Sequence, residues 1–113
     1  MITSLLSGPP SVSFACIDLY VVEGPDRGLT RRLQPGVVRV GTSEACDLRL
    51  SDPTVSRLHC EIHVQGNAFR IVDLDSTNGT WVNGVRIHPG QRRPLKPGDV
   101  LQIGTVQMKL VLA

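Results

Sequence analysis

The sequence predicts an all-β sandwich of two antiparallel sheets, about ten or eleven short strands with polar loops gathered at one end. Three observations predict it. After residue 13, apolar residues recur with period two through most of the chain. Turn signals cut these runs at short intervals. No helical period survives over a window of about eleven residues, because Gly and Pro interrupt every candidate.

Residues 1–13 are rich in Ser, Gly and Pro and read as a flexible leader, with the domain occupying residues 14–113. Ile17, Leu19 and Val21 then alternate with Asp18, Tyr20 and Val22. Val38 and Val40 flank Arg39, Leu48 and Leu50 flank Arg49, and Cys60, Ile62 and Val64 alternate with Glu61, His63 and Gln65. Val106, Met108, Leu110 and Leu112 close the chain in the same way. Alternation of this kind sets one face of each strand on a core and the other in water. The sharpest turn signal is Asn83-Gly84, since a type I′ hairpin turn needs positive φ at both central residues. Phe69 and Trp81 read as core aromatics, and Asn83 as a residue that serves its turn alone.

Composition narrows the function classes. The chain has 113 residues, 41% apolar and 19% charged, enough for a core without metal or disulfide staples. A net charge of +2 is too small for a nucleic-acid platform, and four aromatics are too few for a stacking surface. Three cysteines, Cys16, Cys46 and Cys60, form no paired spacing and suit a reducing cytoplasm. The first residues lack the basic and apolar regions of a signal peptide, and no run approaches the ~20 apolar residues of a membrane span. The expected location is cytoplasmic. The chain reads equally as a complete small protein or as one domain of a longer one.

Two segments interrupt the alternation with polar residues: Ser51-Asp52-Pro53-Thr54-Val55-Ser56-Arg57-Leu58-His59 and Asp73-Leu74-Asp75-Ser76-Thr77-Asn78-Gly79-Thr80. Each joins two strands, and loops at the end of a sandwich build binding surfaces. Hydroxyl, guanidinium and amide groups together suit a phosphate and the peptide backbone beside it.

Gly41, the Ser56-x-x-His59 spacing and Thr77-Asn78-Gly79-Thr80-Trp81-Val82-Asn83-Gly84, followed by Lys96-Pro97-Gly98-Asp99 and Ile103-Gly104, resemble the signature of the forkhead-associated (FHA) domain. The resemblance implies binding of a phosphothreonine-containing protein or peptide, the output of a Ser/Thr kinase, with no catalysis, cofactor, metal, nucleic acid or membrane. It implies that Ser56 donates its hydroxyl to the phosphate and that Arg57 adds charge and backbone donors. Asn78 holds the peptide main chain, and Thr77 helps shape a pocket for the threonine methyl. Gly41 and Gly79 permit tight loops, and His59 braces them from behind. The family usually carries Arg directly after the first Gly, whereas this chain has Thr42, a hydroxyl without charge. Arg57 then becomes the best cation for the phosphate, with Arg39 or Arg49 contributing only if their strand faces turn toward the loops. A degenerate phosphate site, serving phospho-independent dimerisation or intramolecular docking, is the alternative that Thr42 raises. The stretch from Val40 to Arg57 is similar to modules at the N-terminus of bacterial enhancer-binding transcription activators. That likeness implies an attached ATPase and DNA-binding effector in a longer chain, and a link to the alternative nitrogen-type sigma factor.

Other constellations read blandly. Ser56 and His59 lack the G-x-S-x-G elbow and a third triad member of a hydrolase. His59, Cys60 and His63 do not make a zinc site, since alternation sends Cys60 to the opposite face. The remaining arginines, Arg86 among them, read as a solvated surface.

Overall fold

The computed structural model describes residues 16–113, so the leader expected over residues 1–13 lies outside the described residues. Among the described residues eleven strands run in chain order. β1 is Ile17–Glu23, β2 Thr30–Arg32, β3 Gly36–Gly41, β4 Leu48–Arg49, β5 Cys60–Gln65 and β6 Ala68–Asp73. β7 is Thr80–Val82, β8 Val85–Arg86, β9 Arg93–Leu95, β10 Val100–Ile103 and β11 Val106–Leu112. They form a six-stranded sheet in the order β2-β1-β11-β10-β7-β8 and a five-stranded sheet in the order β9-β6-β5-β3-β4. Every strand pair is antiparallel except β3 with β4, which run parallel. No helix long and apolar enough to cross a membrane occurs among the described residues.

The period-two pattern is what packs the two sheets. Ile17, Leu19 and Val21 of β1 and Val106, Met108 and Leu110 of β11 face inward from one sheet. Val38 and Val40 of β3, Cys60 and Ile62 of β5 and Ile71 of β6 meet them from the other. Each fully buried aliphatic side chain of this kind contributes about 1.5–3 kcal/mol through water exclusion. Cys60 is completely buried and its thiol pKa is pushed up by that burial, while His63 looks outward and meets Glu61 at 3.0 Å. Asn83 and Gly84 have φ of 49° and 81°, the turn conformation that their residue types predict.

Two expectations are corrected. Phe69 is buried, but Trp81 is only half-buried and lies on the outer face of its sheet. The alternation of β7 explains it, because Thr80 and Val82 take the inward positions. Asn83 also does more than turn the chain. Its amide donates to the Asp99 carboxylate at 2.9 Å, and its carbonyl oxygen accepts from Val100 N at 2.9 Å.

Strand register sorts the connections. Gly41 ends β3, Cys60 opens β5, Asp73 ends β6 and Thr80 opens β7, and the pairings Val40 with Cys60 and Cys60 with Asp73 set the first three side by side. The pairing of Thr80 with Ile103 and a bond from Gly104 N to the Gly79 carbonyl at 3.1 Å bring the other sheet to the same edge. Both polar loops therefore belong to one end of the sandwich, the loop end.

Candidate functional site

The loop between β6 and β7 folds around a buried carboxylate. Asp73 is 3% exposed and accepts from the Ser76 N–H at 3.1 Å, the Ser76 hydroxyl and the Thr80 hydroxyl at 2.7 Å. Burial alone would raise its pKa, but these hydrogen bonds outweigh it and hold the carboxyl below its ordinary value. The Ser76 hydroxyl also accepts from Gly79 N at 3.1 Å, which fixes the loop on both sides of Thr77 and Asn78.

His59 ties this loop to the one between β4 and β5. Its Nδ1 accepts the Ser56 N–H at 3.0 Å, so Nε2 carries the proton and donates to the Gly79 carbonyl at 2.8 Å. The ring is fully buried, and burial lowers its pKa against the opposing pull of Gly79 and Asp73. A neutral, fully bonded imidazole buried beneath the loops is a brace, not a general base facing solvent.

Ser56 occupies the junction. Its carbonyl accepts Thr42 N at 3.1 Å, and its hydroxyl oxygen accepts Thr77 N at 3.0 Å. A hydroxyl that accepts keeps its own proton, and the Ser56 proton meets no acceptor among the described residues. Arg57 follows with its carbonyl pinned by Ser43 N at 3.1 Å and by the Cys46 thiol at 3.3 Å. The Arg57 side chain is exposed and forms no ion pair among the described residues. Gly41 makes this approach possible. A Cβ at residue 41 would stand 2.1 Å from the Arg57 carbonyl oxygen, inside any tolerable contact.

Asn78 donates one amide hydrogen to the Thr54 carbonyl at 2.9 Å and is otherwise exposed. Its second N–H and its carbonyl oxygen can still meet a peptide group, which presents one donor and one acceptor. Thr54 is itself fixed, since its N–H and hydroxyl donate to Asp52, and its hydroxyl accepts Thr105 N at 2.9 Å. Those bonds from Thr54 hold the Asp52 carboxyl below its usual range. None of this Asp52–Thr54–Thr105 support is evident in the sequence.

Thr42 stands at the rim with its hydroxyl unengaged among the described residues. Arg49 Nε donates to the Thr42 carbonyl at 3.0 Å, and Arg49 lies 3.9 Å from Glu44. Arg49 thus reaches the edge of the loop end. Arg39 does not, because Glu61 holds its guanidinium at 2.9 Å on the outer face of the five-stranded sheet.

The FHA domain family model matches residues 38–104, more than half of the chain. The chain belongs to the FHA family. This FHA domain is 34% identical over 105 residues to the glycogen accumulation regulator GarA of Mycobacterium tuberculosis, covering 93% of the chain and 63% of GarA. It is 36% identical over 90 residues to an oxoglutarate dehydrogenase inhibitor of Corynebacterium efficiens, covering 80% of the chain and 61% of that protein. The chain therefore spans about three fifths of the length of these relatives. Among solved structures, an FHA domain studied for phosphothreonine-dependent interactions superposes with a TM-score of 0.78 at 33% identity, covering 87% of this chain and 97% of that one. The FHA domain of CT664 from Chlamydia trachomatis gives 0.79 at 31% identity, with coverage of 88% and 99%.

Proposed function

We propose that this FHA domain binds phosphothreonine-containing segments of partner proteins and performs no chemistry on them. One observation carries the reading. The Ser56 hydroxyl proton, the Thr42 hydroxyl, the Arg57 guanidinium and the remaining polar atoms of the Asn78 amide have no partner among the described residues, beside a frame in which His59, Asp73 and Thr54 are bonded internally. A phosphothreonine carries about −1.5 to −2 charges at neutral pH. Ser56 would donate to it, Arg57 would neutralise it, and Thr42 would add an uncharged donor where the family usually has Arg. Arg49, held at the Thr42 carbonyl, supports the site with a second positive charge at longer range. Asn78 would hold the main chain of the segment, and Thr77 would border the threonine methyl. The phosphothreonine-dependent interactions studied for the 33%-identical FHA domain support this assignment.

The wider role is regulatory: phosphorylation by a Ser/Thr kinase would create the binding segment, and capture would alter the activity of the phosphorylated protein. The names of the regulator and inhibitor relatives favour this output. An attached ATPase and DNA-binding effector, with a role in transcription control, remains the alternative setting. At the site itself, the uncharged Thr42 favours a second reading, a phospho-independent docking or dimerisation module.

Titration with a degenerate phosphothreonine peptide library and its unphosphorylated twin separates the two site readings. Selective binding of the phosphorylated library, lost in Ser56→Ala with folding intact, is the expected result. Equal binding of both libraries would overturn it.

A further inference from the structure

We propose that Arg86, stacked on Trp81 beside the β6–β7 loop, forms a subsite for an acidic side chain near the phosphothreonine, so that acidic phosphopeptides are the preferred partners. The inference rests on the phosphothreonine reading above.

Trp81 and Arg86 are cross-strand partners in the β7–β8 hairpin. The Arg86 guanidinium carbon lies 5.4 Å from the centre of the Trp81 ring, within cation–π range. Both side chains press on residue 79. A Cβ there would stand 2.9 Å from Trp81 Cη2, 3.0 Å from Arg86 Nε and 3.1 Å from Arg86 Cζ. The cation is therefore packed against the immediate neighbour of Asn78. A segment whose main chain is held at Asn78 would pass Arg86 within about two or three residues of extended chain.

The charge of Arg86 is available. Arg32, Arg39 and Arg49 are each bonded to a carboxylate or carbonyl oxygen, whereas the Arg86 side chain has no ion pair or hydrogen bond among the described residues. Asp75, on the neighbouring loop, is exposed and does not come within ion-pair distance of it. Stacking on the indole holds the guanidinium in one place while leaving its N–H edge open to a carboxylate, which it can grip with two parallel bonds. A Gly at position 79 serves this arrangement directly, because any larger side chain would displace the stack.

The test is calorimetric titration of the domain with phosphothreonine peptides in which Asp replaces Ala at each of the positions flanking the phosphothreonine in turn. Asp at one or two adjacent positions should tighten binding about two- to fivefold at low salt, the range of an exposed ion pair. The gain should shrink at high salt. Arg86→Gln should remove it while leaving the affinity for the all-Ala phosphopeptide unchanged, and Arg86→Glu should reverse it in favour of Lys. Phosphopeptide binding with no acidic preference, or a preference that survives Arg86→Gln, would overturn the subsite and leave the phosphothreonine reading standing. Equal affinity for phosphorylated and unphosphorylated peptides would remove both.

Discussion

Each end of the sandwich is organised by a buried aspartate, and the two are used in opposite ways. At the turn end, Asp99 is 4% exposed and accepts from the Asn83 amide at 2.9 Å and from Lys96 N at 2.9 Å. Asn83 in turn receives Val100 N, so the polar groups there close two tight turns on each other. At the loop end, Asp73 is equally buried, yet it shapes a longer loop that leaves Thr77 and Asn78 exposed. His59 then joins that loop, at the Gly79 carbonyl, to the Ser56 N–H of the other loop and leaves the Ser56 hydroxyl proton unused. The same device, a carboxylate collecting N–H and O–H groups, closes one end and holds donors outward at the other. A buried polar group is thus no sign of a site; what matters is whether its network leaves outward donors over.

The largest expected effects come from removing the two aspartates. Asp73→Ala strands the Ser76 and Thr80 groups and should cost about 2–4 kcal/mol of stability. It should also abolish phosphopeptide binding, because the loop that presents Asn78 loses its centre. Asp99→Ala should destabilise by a similar amount in urea unfolding, yet leave Kd within about twofold, since the two networks share no partner. If Asp99→Ala weakened binding as much as Asp73→Ala at a temperature where both are folded, the division of labour between the ends would be wrong.

Arg57→Ala should invert that pattern. The side chain is exposed and braces nothing, so unfolding should shift by less than about 0.5 kcal/mol. A lost charge-assisted hydrogen bond of about 1.5–3 kcal/mol would weaken phosphothreonine binding roughly ten- to a hundredfold. Thr42→Arg restores a cation at the family position and should tighten binding. It should also partly rescue Arg57→Ala. Arg49→Ala should have a smaller effect than Arg57→Ala, as Arg49 already donates to Thr42 and faces Glu44. Calorimetry on the four variants orders these contributions.

Much of this organisation is legible in the residues. Period two through β1, β3, β5 and β11 fixes the inward faces, and the two polar interruptions mark the loop end. His59, expected to brace the loops from behind, lies fully buried with its two ring nitrogens bonded to Ser56 and Gly79. Other features depend on register between distant strands, which a local pattern does not contain. The contact of Asn78 with Thr54, and of Thr54 with Thr105, joins segments 24 and 51 residues apart. The Trp81–Arg86 stack is a different case. The two-residue turn at Asn83-Gly84 pairs Val82 with Val85 and hence Trp81 with Arg86. That hairpin signal, with Arg86 on the solvated surface as expected, could have taken Trp81 out of the core and set it beside Arg86 on the outer face.

The smallest effect separates the ends by pH. Burial depresses the His59 pKa below its ordinary 6.5, so the folded state resists protonation that the unfolded chain accepts. Above pH 6.5 both states carry a neutral ring and the His59 contribution is complete. As pH falls below 6.5 the unfolded chain takes up the proton first, and stability declines until the lower folded pKa is passed. Asp52, Glu61 and Asp73 are held below their ordinary values of 3.8, 4.5 and 3.8, so their contributions are lost only in a more acidic window. Urea midpoints measured between pH 7.5 and about pH 5 should therefore fall gently in the wild type, and the slope should flatten in His59→Gln despite its lower overall stability. Unfolding is the right readout, because the phosphate of a bound phosphothreonine itself titrates near pH 6, at about its second pKa, and would blur a binding curve. A slope unchanged in His59→Gln would mean that the imidazole is not the buried neutral brace that its bonds to Ser56 and Gly79 describe.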